Sequence, residues 1–147
     1  MKVSVQSDDF DLATELSGFG TAPNTGATVT FTGLVRDDTG MLACLEIEHY
    51  PGMCETAICD IVNQAVTRWS LTDCLVIHRY GQLQVGAQIM MVATAGRHRV
   101  EAFEAAEYLM DYLKSRAPFW KKEIPHGDAD AQWVTAKTSD EEALKRW

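Results

Sequence analysis

The sequence holds no run approaching the roughly 20 apolar residues that a membrane-spanning helix needs. Its opening, MKVSVQSDDFDL, has no apolar stretch of signal-peptide length. The expectation is a cytoplasmic protein with no membrane contact. Cysteine is scarce, and the four present, Cys44, Cys54, Cys59 and Cys74, lack any CxxC spacing. That gives no reason to place a metal, and free, part-buried thiols are expected. Positive charge is short as well: 13 Lys and Arg stand against 21 Asp and Glu, a net charge of -8. Such a balance argues against a nucleic-acid binder or an anionic-membrane binder, while leaving room for a small anion in a local basic pocket. The glycines of GFG, inside the loop Gly18–Gly26, fall short of a phosphate-loop pattern. No Ser/His/Asp order and no nucleophile elbow is visible, so a hydrolase using His49, His78 or His98 is a poor reading. Internal repeats, low-complexity runs and domain linkers are all missing.

What remains is ordinary globular composition, 46% hydrophobic over 147 residues, enough for one domain spanning 1–147. Lys2 to Gln6 alternates and reads as a strand. Ser7 or Asp8 can cap a short helix running to about Ser17. Ala27 to Arg36 is a strong strand, followed by a hairpin-like turn at Asp37–Gly40 and a return strand from Leu42 to Tyr50. Met53 to Trp69 carries a helical stripe of Ile58, Ile61, Val62, Ala65 and Trp69. Asp73 to Tyr80 and the nearly all-apolar Ala87 to Ala95 are two further strands, with a turn beginning at Gly81. His78 shares a face with Cys74 and Val76, which points to a packed histidine rather than a ligand. Gln132 to Lys137 reads as a last strand, and Ser139 or Asp140 can cap a terminal helix. The pattern is that of an α+β domain with a mixed, mostly antiparallel sheet and flanking helices.

The chemistry concentrates between Gly96 and Glu123. Six of the thirteen Lys and Arg lie there: Arg97, Arg99, Lys114, Arg116, Lys121 and Lys122. Phe103, Ala106, Met110 and Leu113 recur at helical spacing, with Glu101, Glu104, Glu107 and Asp111 largely opposite. Pro118 disfavours helical geometry at Ala117, so the helix should end near Ser115 or Arg116, with Lys114 in its last turn. Lys121 then follows on an irregular segment. At the helix start, free N–H groups and the positive dipole end join Arg97, His98 and Arg99 in a potential anion site. A basic cluster merely balanced by local acids is the competing reading.

These stretches resemble one family. FTGLVR (Phe31–Arg36), EHYPGM (Glu48–Met53), HRYGQLQVG (His78–Gly86), HRVEAFEA (His98–Ala105) and LKSRAPFWKKE (Leu113–Glu123) together are similar to the large, catalytic subunit of molybdopterin synthase. The resemblance covers the chain from about residue 27 onward, in order, with LK followed by APFWKKE its most specific part.

The resemblance implies an α/β-hammerhead-type fold and a sulfurtransferase of molybdenum-cofactor biosynthesis. Two sulfurs enter cyclic pyranopterin monophosphate and create the dithiolene of molybdopterin. The sulfur arrives as a thiocarboxylate on the C-terminal glycine of a small ubiquitin-like subunit. It implies further a heterotetramer, a dimer of large subunits with a small subunit at each end, and no cofactor or metal. By the same resemblance Lys114 and Lys121 are the catalytic pair. Leu34, Val35, Arg36, His98, Arg99, Lys122 and Glu123 bind substrate, and Phe31 and Met110 line the pocket. Leu34 stands where a lysine can occur in the family.

Physical reasoning agrees with a cationic pocket: the precursor is a cyclic phosphate and the thiocarboxylate is an anion. Cleavage of the acyl–sulfur bond passes through an oxyanion that Lys114 or Lys121 can stabilise. Crowding of Lys121 by Lys122 and Arg116 would lower its pKa and suit it to acid–base work. Lys114 is an equal candidate for that task. A phosphate-binding module without catalysis also fits the anion site, but it leaves the two lysines beyond Pro118 unexplained.

Overall fold

The apolar runs sort into two sheets rather than one. The computed structural model describes Met1–Trp147 in full. Strands β1 (Lys2–Gln6), β4 (Asp73–Arg79), β6 (Gln88–Gly96) and β2 (Ala27–Leu34) form the first sheet in that spatial order. β1 and β4 run parallel, and the remaining pairs are antiparallel. Strands β5 (Gly81–Gln84), β3 (Leu42–His49), β7 (Phe119–Pro125) and β8 (Gln132–Trp133) form the second sheet, antiparallel throughout. Four helices accompany them: α1 (Leu12–Leu16), α2 (Met53–Trp69), α3 (Arg99–Ser115) and α4 (Thr138–Ala143). The α+β expectation with mostly antiparallel pairing holds. No helix is long and apolar enough to cross a membrane.

β4 and β6 sit centrally and are buried on both faces, which is why CLVI and IMMVATA are almost continuously apolar. One face packs against α2 and α3 through Ile58, Val62, Cys74, Val76, Val92, Ala105 and Leu109. The other is covered by Phe10, α1 and Phe19 over Leu75, Ile77, Met91 and Ala93. A third cluster, Val35, Leu42, Leu45, Ile47 and Leu83, belongs to the second sheet.

The strands expected to pair as a hairpin at residues 27–50 do not pair. β2 lies beside β6, and β3 lies between β5 and β7. The turn does occur, with the Asp37 carboxylate accepting from the N–H groups of Thr39, Gly40 and Leu42. It carries the chain from one sheet to the other instead of folding it back. A second crossing happens at Gly81, whose φ of 92° suits a glycine and ends β4 as β5 begins. β5 thus stands where the sequence suggests only a turn. Phe119–Pro125, expected to be irregular, is a strand because both of its neighbours offer a paired edge.

Other differences are local. Asp11, not Ser7 or Asp8, caps α1 by accepting from the Thr14 N–H at 2.8 Å. On α3 the buried residues are Ala102, Ala105, Ala106, Tyr108, Leu109 and Leu113, and Phe103 is 60% exposed. Small alanines let the helix lie close to the sheet, which turns the bulky Phe103 outward. The last strand stops at Trp133, after which the Val134 N–H donates to the Lys121 carbonyl at 2.7 Å. Cys44, Cys54 and Cys74 are buried and Cys59 is exposed, all four unpaired.

Gly26 joins the start of β2 to the end of β6, just ahead of α3. Its N–H donates to the Gly96 carbonyl at 3.0 Å, and a Cβ there would fall 2.3 Å from the Arg97 carbonyl oxygen. Since backbone must move to admit a methyl, Gly26→Ala should cost about 1–3 kcal/mol of stability. Urea unfolding of the two proteins would measure it, and an unchanged midpoint would mean that this contact is soft.

Candidate functional site

α3 delivers Lys114, and β7 delivers Lys121. Met110, Leu113 and Lys114 recur at three and four residues, so they look out from the same side of the last helical turns. Pro118 ends the helix, and the Ala117 N–H donates back to Tyr112. The chain then enters β7 in register with β3, with Lys121 opposite Ile47. Strand alternation sends Phe119, Lys121 and Glu123 to one face and Trp120 and Lys122 to the other.

The lysines meet in a hollow of about 440 Å³. Phe31, Leu34 and Arg36 border it on one side, Met110, Leu113 and Lys114 on another, and Lys121 and Glu123 on a third. A bulge between Gly33 and Leu34 breaks the β2 register there and leaves Leu34 54% exposed at the rim. Past His78, Leu113, Lys114 and Lys121 the space continues into a second hollow of about 260 Å³, walled by Val134–Lys137 and Asp140. Arg36, Lys114, Lys121 and Lys137 face Asp38, Glu123 and Asp140 across these two spaces. The surroundings are therefore cationic in a chain of net charge -8. Arg36 pairs with Asp38 at 3.0 Å, but both side chains are mostly exposed, so the guanidinium remains available to a ligand.

Burial pushes the Lys121 ammonium below the usual lysine range, Lys114 pushes it further, and Asp140 partly offsets both. The cause therefore differs from the one expected. Lys122 holds its ammonium 5.2 Å from the centre of the Trp133 ring, on the other side of β7. Arg116 is tied to Glu141 at 2.8 Å. Lys114, brought over by α3, is the cation that acts on Lys121.

The remaining expected site residues separate into groups. Phe31, Leu34, Arg36, Met110 and Glu123 border the hollow with the two lysines. Val35 is 3% exposed and packs in the second-sheet core, where its N–H donates to Ala87. His98 and Arg99 are exposed at the start of α3. Lys114 lies 15 to 16 residues further along the same helix, roughly 22–24 Å away at the helical rise. Within one chain that pair shares no hollow with the lysines.

Two contributors escaped the sequence reading. Val134–Lys137, which alternation places in the last strand, walls the second hollow instead. His78 is packed as expected, at 2% exposure, but its ring also borders both hollows. Its position at a strand end, just before the turn-forming Gly81, was the available signal.

Residues 5–116 match the family model described as MoaE protein. The chain is 60% identical to the molybdopterin synthase catalytic subunit of Cereibacter sphaeroides, with 100% of each chain covered. It is 45% identical to that of Escherichia coli K12, over 99% of this chain and 97% of the relative. Among solved structures, the molybdopterin biosynthesis MoaE protein from Burkholderia ambifaria superposes with a TM-score of 0.84 at 44% identity, over 99% of this chain and 97% of that one. Molybdopterin synthase from Staphylococcus aureus superposes with a TM-score of 0.81 at 30% identity, over 89% and 95%.

The lysine geometry has a titration signature. The positive charge of Lys114 disfavours protonation of Lys121, so Lys114→Gln should raise the pKa of Lys121. Asp140 favours protonation, so Asp140→Asn should lower it further. Carbon-13 NMR of reductively methylated lysines, followed through pH, would read both shifts. Movement in the same direction in the two variants would contradict the arrangement.

Proposed function

The chain belongs to the MoaE family, the catalytic subunits of molybdopterin synthase, and on that premise we propose that its double hollow is where sulfur is transferred. The donor is the C-terminal thiocarboxylate of a small ubiquitin-like subunit, and the acceptor is cyclic pyranopterin monophosphate. The product is the dithiolene of molybdopterin. The observation that carries this reading is the convergence of Lys114 and Lys121, from a helix and a strand, on one cationic space bordered by Arg36.

Each part has a task that follows from its charge. Arg36 at the open rim suits the phosphate, because a guanidinium holds two oxygens at once. The thiocarboxylate tail occupies the half walled by Val134–Lys137, drawn in by Lys114 and Lys137. Sulfur attacks a carbon of the pterin side chain and displaces an oxygen substituent from it, joining tail and pterin as a thioester. Water then adds to the thioester carbonyl carbon through a tetrahedral oxyanion, leaving a carboxylate on the tail and the sulfur on the pterin. An ammonium beside that carbon stabilises the oxyanion before the acyl–sulfur bond breaks. Lys121, with its lowered pKa, is the better proton donor, and Lys114 is left the task of positioning. Phe31, Leu34 and Met110 give the pterin an apolar wall. No cluster of His, Cys, Asp and Glu is arranged to hold a metal ion. Four unpaired thiols support a cytoplasmic setting.

His98 and Arg99 enter this scheme through a second copy. Within one chain they are too far from Lys114 to share a ligand, and beside them Val100 and Phe103 leave apolar surface exposed. In a dimer of catalytic subunits, burying that surface would carry the pair to the phosphate end of the partner's hollow.

Incubation with thiocarboxylated small subunit and precursor, with the product assayed by mass, is the direct test. Lys121→Ala should lower product formation by about a hundredfold or more with the fold retained. Full activity in both Lys121→Ala and Lys114→Ala would end the mechanism. Mixing Lys121→Ala copies with Arg99→Ala copies tests the second part. Random exchange makes about half the dimers mixed, each with one intact site of two, so about a quarter of the wild-type rate should return. No recovery after subunit exchange would confine each site to one chain.

A further inference from the structure

His78 borders both halves of the hollow, yet sulfur transfer as drawn gives it no task. Its ring stacks on Phe119 with centroids 3.7 Å apart and planes 13° apart. Nδ1 lies 2.9 Å from the Arg79 carbonyl oxygen. A carbonyl can only accept, so Nδ1 carries the proton and Nε2 carries the lone pair. Nε2 has no hydrogen-bonding partner in the protein, and it is not sealed away, since the one enclosed side-chain atom without a partner is Glu101 Oε2. The free acceptor therefore opens toward the hollow that the ring borders.

Burial pushes the ring pKa down to about 3 against the bond to Arg79, with Lys121 and His49 adding to the effect. The imidazole is neutral at working pH, and the Arg79 bond keeps the tautomer fixed. That neutrality matters in this place. Arg36, Lys114, Lys121 and Lys137 offer donors, and the carboxylates of Asp38, Glu123 and Asp140 are the charged acceptors nearby. A carboxylate that accepted from a reactant would also repel it, because both reactants are anions. A neutral imidazole reads an N–H without that penalty. An acceptor that opens onto the hollow and is held by no protein donor is free to be filled when a reactant binds.

We propose that His78 Nε2 binds an N–H donor of a reactant, fixing that reactant where the two halves of the hollow meet. This rests on the sulfur-transfer reading above. Two donors share the required chemistry: a ring or amino N–H of the pterin, and a backbone amide of the glycine tail.

The test is His78→Phe, which keeps a flat ring against Phe119 and removes the acceptor. Steady-state rates with each reactant varied in turn should show a rise in one KM of about tenfold, the other changing little. A rise for the precursor assigns the donor to the pterin, and a rise for the thiocarboxylated subunit assigns it to the tail. Unchanged KM values for both, in a folded variant, overturn the proposal. Should the variant not fold, wild-type protein labelled with nitrogen-15 histidine replaces it. The unprotonated Nε2 resonance of His78 should shift on adding precursor or partner subunit, and a signal unmoved by either overturns the proposal. Wild-type protein that binds both reactants and forms no product would sink sulfur transfer itself, a result separate from either outcome at His78.

Discussion

Two ammonium groups of like sign are held within reach of one another, and most of the structure around them serves that unfavourable pairing. Left to itself the chain would separate Lys114 and Lys121, since burial and the charge of Lys114 both work against the charged form of Lys121. Neither side chain is free to leave. Lys114 is fixed by a helix whose alanine face lies flat on the first sheet. Lys121 is fixed by the ladder between β3 and β7, where a slip of one residue would send it to the opposite face. Packing energy spread over two cores therefore sustains an electrostatic arrangement that has no stability of its own.

The cost is put to use in two ways. Under the proposed reaction, burial and the charge of Lys114 make Lys121 a readier proton donor than an ordinary lysine, and Lys114 faces the same space. The same cations attract both reactants, a cyclic phosphate and a thiocarboxylate, into a chain whose overall charge would repel them. Asp140 limits the repulsion without cancelling it, and it stands on the C-terminal segment that walls one half of the space. That segment is tied down at Val134, through the bond to Lys121, and at Asp140, whose carbonyl accepts from Ser115. The wall and the lysines it covers thus hold each other in place.

The two sheets explain why the site lies where it does. Crossing from β2 to β3 and from β4 to β5 places strand ends side by side, with Arg36 following one and His78 within the other. β7 closes the gap from the second sheet and α3 from the first. The antiparallel return of α3 along β6 also sends its two ends apart. Lys114 arrives at the hollow as His98 and Arg99 are carried to the far end of the sheet.

Local pattern determined much of this in advance. Helical periodicity placed α2 at Met53–Trp69, and Pro118 fixed the end of α3, because both depend on residues near in sequence. Motif resemblance singled out Lys114 and Lys121 before their meeting could be seen. Pairing partners were another matter. β2 and β3 carry the alternation of a hairpin, and nothing in either strand says that β6 and β7 compete more successfully for their edges. The strand character of Phe119–Pro125 is likewise imposed by its neighbours, since lysines there give no apolar alternation. Charge shows the same division. Counting along the sequence made Lys122 and Arg116 the neighbours of Lys121, whereas folding turned one across the strand, paired the other with Glu141, and brought Lys114 in from the helix. Periodicity, capping and charge content act over a few residues and are written in the chain. Which edges join, and which charges meet, depends on distances that exist only once the core has closed.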